Sequence, residues 1–414
     1  MSTSQTASEN RARGAAVQVS RRPRVCFVVS SPMTVEAFLT DQIRALGERY
    51  EVHLALNADA GSLRHPALRG ITVHRVRIER AISPLHDLRG LLQLVRLLRA
   101  HGFAAVHSLT PKAGLLAAIA GFVSRVPVRV HTHTGQVWAT RKGLARTILK
   151  ALDRVIARLD THVLVDSVSQ RDFLRAQGVL TASQGEVLGC GSVSGVDGVR
   201  FRPDAASREA IRGELSIPPS ARVFLFVGRL NRDKGVLDLA SAFERVARER
   251  DTVFLIYVGP DEDSLAPDIR SRCGDSASRV RFVSWTEAAE CYMAASDVFC
   301  LPSYREGFGS VVIEAAAAGL PAIGSRIYGI VDAIEDGKTG LLFSVGRVPE
   351  LAAAMATLAA DDEMRGSMGK AARTRALRDF SRETLTSALV AFYERILART
   401  KGESRQELLR SHFD

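Results

Sequence analysis

No run of apolar residues in this chain reaches the roughly 18–20 needed to cross a bilayer. The first 22 residues are polar and carry several arginines but no apolar stretch of the kind a secretory leader needs. They read as a disordered tail. The five cysteines, Cys26, Cys190, Cys273, Cys291 and Cys300, are scattered and form no C-x-x-C pair. That spells out neither a disulfide framework nor a zinc site, and fits buried thiols in a reducing cytoplasm. Aromatics make up only 6% of the chain, and no zinc-finger, homeodomain or RNP-type signature occurs, which weighs against nucleic-acid binding. The nearest approach to a metal-binding D-x-D, Asp261-Glu262-Asp263, follows Gly259-Pro260 and reads as an exposed acidic loop. No obligatory metal or other cofactor is therefore expected.

What is present is enough for sizeable cores. With 414 residues, 46% hydrophobic and 24% charged, two domains are the natural expectation. The charge is unevenly spread. Residues 1–200 carry 27 Lys/Arg against 14 Asp/Glu, whereas residues 201–414 carry 29 against 31. A basic N-terminal half points to an anionic partner, a membrane surface before a nucleic acid; the alternative is an ordinary solvated Arg-rich surface.

From Arg24 onward, short apolar runs alternate with helical patterns. Strands are predicted at 25–30, 52–57, 72–76, 105–108, 128–133 and 162–167, and again at 223–228, 253–259, 280–284, 298–303, 321–324 and 340–345. Continuous apolar strands alternating with helices specify parallel sheets covered on both faces. A stretch rich in Gly, Ser, Asp and Pro, from about Gly189 to Pro219, reads as the linker. The division expected is thus residues 23–200, 201–378 and a C-terminal helix over 379–414 packing back toward the first domain. In such sheets ligands sit at the carboxyl ends of the strands.

Two segments there carry chemistry. Gly228-Arg229-Leu230-Asn231-Arg232-Asp233-Lys234-Gly235 follows a strand. Arg229 supplies a planar fork and Lys234 a mobile point charge, a combination suited to a diphosphate; alone, they could equally be two surface cations. Pro302 to Ala315 contains Glu306-Gly307-Phe308-Gly309-Ser310 and Glu314. This is a Gly-rich turn leading into a helix whose unpaired N–H groups attract phosphate. Glu306 is placed to accept from sugar hydroxyls and Glu314 from a ribose diol.

E-G-F-G-S-V-V-I-E at Glu306–Glu314 resembles the E-x7-E signature of retaining GT-B glycosyltransferases of family 4. V-G-R-L-N-R-D-K-G resembles the same family's diphosphate-binding segment. The likeness covers roughly residues 24 to 398. It implies a fold of two Rossmann-like domains facing a cleft. It also implies a nucleotide-sugar donor, with Arg229 and Lys234 on its diphosphate, Glu306 on the sugar, Glu314 on the ribose, Gly228, Gly307, Phe308, Gly309 and Ser310 lining it, and Trp285 beside the base. In the N-terminal half, Ser31, Lys112 and the segment His133-Thr134-Gly135 resemble transferases that build capsule and O-antigen on polyprenyl-diphosphate carriers. Family 4 commonly has a His directly before this Gly. Here that residue is Thr134, which leaves open whether His133 or Thr134 takes its role, and whether His131 and His133 are merely structural.

Finally, Arg146, Lys150, Arg154 and Arg158 recur every fourth residue and form a basic stripe. Leu144, Ile148, Leu152, Val155 and Leu159 form an apolar one. A helix of this kind can lie on anionic lipid with its basic side, or be a surface helix whose apolar side is core. The expectation is a retaining transferase dependent on a UDP-sugar such as a UDP-N-acetylhexosamine, acting on a lipid-linked or other glycan at the inner face of the cytoplasmic membrane. A GT-B-fold sugar-nucleotide epimerase and a basic nucleic-acid-binding protein are the alternatives.

Overall fold

A computed structural model describes residues 22–79 and 83–410, with side chains through Arg399. Nearly all of the N-terminal tail expected from the sequence lies outside the described residues. The chain forms two parallel sheets. The first contains β1 (Arg24–Val28), β2 (Glu51–Leu56), β3 (Thr72–Arg75), β4 (Ala105–Leu109), β5 (Val128–His133), β6 (His162–Val165) and β7 (Glu186–Val187), in the order β3-β2-β1-β4-β5-β6-β7. The second contains β8 (Arg222–Val227), β9 (Val253–Val258), β10 (Val280–Val283), β11 (Val298–Leu301), β12 (Ala322–Ser325) and β13 (Gly340–Phe343), in the order β10-β9-β8-β11-β12-β13. The strand order reverses between β1 and β4 and again between β8 and β11, which opens a crevice at the carboxyl ends of each sheet.

The strands are buried because their side chains are apolar on both sides: Val25 to Val29 and Val223 to Phe226 are almost wholly inaccessible. One face of the first sheet packs Cys26, Val28 and Val106 under the helices Pro84–His101 and Pro111–Val123. Its other face takes the C-terminal helix Arg382–Arg410, whose Leu389, Phe392, Tyr393, Ile396 and Leu397 share a core with Phe27, Leu54 and Val130. Each such side chain contributes about 1.5–3 kcal/mol by leaving water, so the helix is firmly seated on the first domain. The Tyr393 hydroxyl also meets His107 Nδ1 at 2.9 Å. The chain changes domain in two adjacent segments, where Val196 N donates to Phe380 O and Arg382 N to Val196 O.

Three features depart from the sequence reading. β7 was not anticipated, because two residues inside a Gly/Ser-rich stretch carry no periodicity. The stretch read as linker contains the helix Ala205–Glu214, capped by Asp204, which accepts from Ala206 N and Ser207 N. Buried Arg212 on this helix donates to the carbonyls of Pro218 and Pro219 and pairs with Asp297 at 2.8 Å.

The third concerns the helix Gly143–Leu159, which lies the other way round from either expectation. Arg146 and Lys150 both donate to Gln177 Oε1, at 3.1 and 3.0 Å, and Arg154 donates to Gly178 O. Arg146 and Lys150 also lie over the Trp138 ring. The cations are thus drawn to the C-terminal end of the helix Val168–Ala176, where unpaired carbonyls favour positive charge, and to an aromatic face. Leu144, Ile148 and Val155 are left 74%, 50% and 37% exposed.

Candidate active site between the two sheets

The first wall of the crevice is the turn after β8. Gly228 leaves the strand, and Arg229 Nη1 donates to both oxygens of Glu262, at 2.8 and 2.7 Å. Asn231 donates to the same carboxylate at 2.9 Å, and Arg232 N donates to Asp263. The exposed acidic loop is therefore the counter-ion of the basic loop, a consequence of β8 and β9 ending side by side. Asn231 also accepts from Lys234 N, closing a one-turn helix at Arg232–Lys234.

Gly235 then sits at φ +66, and a Cβ there would come within 2.1 Å of Pro302 O. Only glycine lets this turn press against the loop after β11. The contact brings Lys234 Nζ within 2.5 Å of Glu306 Oε1, to which Ser303 Oγ also donates at 2.8 Å. Beyond Glu306, Gly309 at φ +76 caps the helix Ser310–Ala317 without a side-chain bond. Its first N–H groups are therefore available to an anion. Phe308 is buried, against Phe380 at 5.1 Å between ring centroids; its part at the site would be played by backbone.

On the same helix, Glu314 lies half-buried. Burial pushes its carboxyl up to about 7, against the pull of Arg200; Glu290 adds to the rise. Arg200 and Glu290 form their own pair at 2.8 Å. Neither was anticipated. Trp285 follows β10 and is 60% exposed, free to take a flat ring.

The opposite wall comes from the first domain. A Cβ on Gly307 would lie 2.8 Å from Gly135 N, 2.9 Å from the Thr134 carbonyl carbon and 2.5 Å from Asp166 Oδ2. The loops after β5 and β6 thus meet the Glu306–Gly307 turn at backbone distance. Thr134 O accepts from Gln170 Nε2 at 3.3 Å. His133 is buried and held neutral, its pKa lowered to about 4 by burial, and its Nε2 has no partner among the described residues. His131 meets Ser108 Oγ at 2.9 Å, a structural bond. Ser169 N and Oγ hydrogen-bond to Asp332, and Phe173 stacks on Tyr328 at 4.3 Å, so further contacts join the domains.

The remaining predicted positions are engaged within the first domain. Ser31 caps the helix Pro32–Phe38, and Lys112 Nζ pairs with Asp87 at 2.5 Å. Asp166 was missed because the predicted strand 162–167 ran through it; β6 ends at Val165 and leaves Asp166 just past the strand end.

A crevice walled by cations and an uncapped helix start on one side, and by neutral polar groups on the other, between two Rossmann-like sheets, defines a GT-B glycosyltransferase. Comparison with known proteins gives the family. Residues 34–191 match the "Glycosyl transferase 4-like domain" and residues 207–375 match "Glycosyl transferases group 1". The chain belongs to this family of glycosyltransferases. It is 27% identical over 331 residues to the capsular polysaccharide biosynthesis glycosyltransferase CapM of Staphylococcus aureus, covering 80% of this chain and 87% of that one. It is 26% identical over 309 residues to the UDP-Gal:alpha-D-GlcNAc-diphosphoundecaprenol alpha-1,3-galactosyltransferase of Escherichia coli, covering 73% and 78%. In fold it resembles HepE of Anabaena in complex with UDP, with a TM-score of 0.74 at 21% identity over 90% and 99% of the two chains. It also resembles the lipopolysaccharide glycosyltransferase WaaG, with a TM-score of 0.69 at 18% identity over 89% and 98%.

Proposed function

We propose that the protein transfers a sugar, with retention, from a UDP-sugar to a polyprenyl-diphosphate-linked glycan during surface polysaccharide synthesis; an N-acetylhexosamine is the sugar we favour. The observation that carries this is the Lys234–Glu306 pair beside the uncapped start of Ser310–Ala317. In the donor complex Arg229, Lys234 and the helix N–H groups neutralise the departing diphosphate, the largest charge that develops. Glu306 turns to the sugar hydroxyls and Glu314 takes the ribose. The diphosphate-linked acceptor and the UDP-Gal donor named for the E. coli relative, and the UDP in HepE, support this reading.

Among the described residues no helix is long and apolar enough to cross a membrane. A lipid-linked acceptor nevertheless requires the enzyme to reach the bilayer. The surface we assign to lipid is the outward side of three helices packed in succession, Pro84–His101, Pro111–Val123 and Gly143–Leu159. Leu85, Leu88, Leu92, Phe122, Val123, Leu144 and Ile148 are exposed there, with Arg141, Lys142 and Arg158 exposed at the rim. Apolar residues enter the headgroup boundary and the rim cations meet anionic lipid.

The test is calorimetry with UDP, GDP, ADP and CMP, with and without a divalent metal, followed by Glu306→Ala. The expected result is selective, metal-independent binding of UDP, with transfer abolished and the fold intact in the variant. Absence of UDP binding, or full activity of Glu306→Ala, refutes the assignment.

A further inference from the structure

Asp166 is the residue at the crevice whose chemistry the donor reading leaves unused. It stands one position past β6 and is 4% exposed. Its backbone is fully committed: its N–H donates to Gln170 Oε1 at 2.8 Å, and its carbonyl accepts from Ser192 N at 2.7 Å. Gln170, itself fully buried, also holds Thr134 O and Gln136. The Asp166 loop and the Thr134–Gly135 loop are therefore fixed to each other. The side chain is treated differently. Oδ2 faces Gly307, and Oδ1 is buried with no hydrogen-bond partner among the described residues.

A buried carboxyl with an open valence is a liability to folding, since its desolvation is not compensated. Nothing in the fold repays it here, and burial pushes the carboxyl well above its ordinary range. It stands against Gly307, the residue after Glu306, which the other domain presents. The partner that would repay it is constrained by charge. A diphosphate, itself anionic, would hold this carboxyl in its neutral form, and it already has Arg229 and Lys234 to receive it. A sugar hydroxyl that donates to the carboxyl stabilises the ionised form and so draws its proton off.

We infer that Asp166 is a specificity-determining residue that accepts a hydrogen bond from a hydroxyl of the sugar being transferred, on the side of that sugar opposite Glu306. The inference rests on the donor reading above and deepens it. Each domain supplies one acid, so the sugar is held from both sides only when the crevice is closed around it. The donor site then discriminates between sugars with a group on the acceptor-side domain, while the nucleotide is read wholly by the other domain.

The experiment compares the full-length protein with Asp166→Asn, which keeps the shape and removes the charge. Affinities are measured for UDP and for UDP-glucose, UDP-galactose, UDP-N-acetylglucosamine and UDP-N-acetylgalactosamine. Consumption of the best donor and of its singly deoxygenated analogues is then followed. The wild type should bind one UDP-sugar more tightly than UDP. Asp166→Asn should bind UDP within about twofold of wild type and lose that sugar-dependent gain. Its kcat/KM should fall by about tenfold to a hundredfold, the usual cost of a hydrogen bond to a charged group. One deoxygenation should cost the wild type about tenfold and the variant nothing further, the non-additivity of a shared contact. The variant's melting temperature should not fall, because no partner is lost.

A retained sugar gain, additive deoxygenation effects, or a wild type that binds no UDP-sugar better than UDP overturns the inference. So does collapse of the fold, which would show the carboxyl to be structural. Failure of the wild type to bind UDP at all would instead refute the donor reading on which the inference stands.

Discussion

Glu314 offers the sharpest link between a local environment and a measurable binding curve. Its carboxyl sits in the folded protein at about 7, raised mainly by burial. If it accepts from the ribose diol, only the ionised form serves, so below pH 7 binding must first remove a proton. Affinity should then fall by nearly tenfold per pH unit. Between about pH 8 and pH 5.5 the loss from this group alone works out at roughly 30-fold, or about 2 kcal/mol. The nucleotide's own terminal phosphate also titrates, near pH ~6, and its protonation weakens the hold of Arg229 and Lys234. Glu314→Gln separates the two, because it keeps the phosphate's contribution and loses the carboxyl's. The assay is calorimetry with UDP across this range, in paired buffers of different ionisation enthalpy, so that the proton released on binding is counted. Wild type should release up to one more proton than the variant near pH 6. The sign for folding is opposite. A carboxyl raised in the folded state leaves stability untouched below its unfolded value of 4.5 and costs it as pH rises from there to about 7. Glu314→Gln should therefore gain stability over wild type at pH 8 and not at pH 4. Parallel binding curves for the two proteins would refute the ribose role.

Other perturbations have equally defined outcomes. Glu262→Gln frees the Arg229 fork that a diphosphate must otherwise win from an exposed carboxylate; UDP affinity in low salt should rise by up to about fivefold, the worth of a surface ion pair, and the gain should shrink as salt is added. Leu144→Glu with Ile148→Glu should abolish sedimentation with phosphatidylglycerol vesicles while leaving UDP binding unchanged. Arg146→Gln with Arg154→Gln should lower the melting temperature more than vesicle binding, since those cations hold Gln177 and Gly178. Asp153, which accepts from Trp138 Nε1 at 2.7 Å and is raised by burial to about 6, costs the fold stability as pH rises from the ordinary aspartate range up to that value. Asp153→Asn should add about 3 kcal/mol to unfolding stability at pH 8, by denaturant titration, and little at pH 3.

The crevice wall proposed to hold the donor could be picked out in advance because its residues are local in sequence. A strand, a glycine and two cations within nine residues define one wall, and an acid, a Gly-rich turn and a second acid define the next. What could not be read was everything decided between distant segments. Glu262 looked like a loop acid because its partner, Arg229, lies on the neighbouring strand's turn, and strand adjacency is a property of topology rather than of spacing. Asp166 was hidden inside a strand predicted two residues too long. Its meaning also depends on Gly307 arriving from the other domain, some 140 positions away. The helix Gly143–Leu159 shows the limit most plainly. Its periodicity gave two stripes, and both readings assigned the apolar one to the core or left the basic one to lipid. The choice was made by a third element, the end of Val168–Ala176, whose carbonyls and neighbouring Trp138 took up Arg146, Lys150 and Arg154 and left Leu144, Ile148 and Val155 outward. An amphipathic pattern thus fixes which residues share a side, and only the electrostatics of the neighbouring element decides which side faces water. On the lipid-contact reading proposed above, the same reasoning would put the apolar stripe of this helix, and not its basic one, against the bilayer, with the exposed Arg141, Lys142 and Arg158 at its edge.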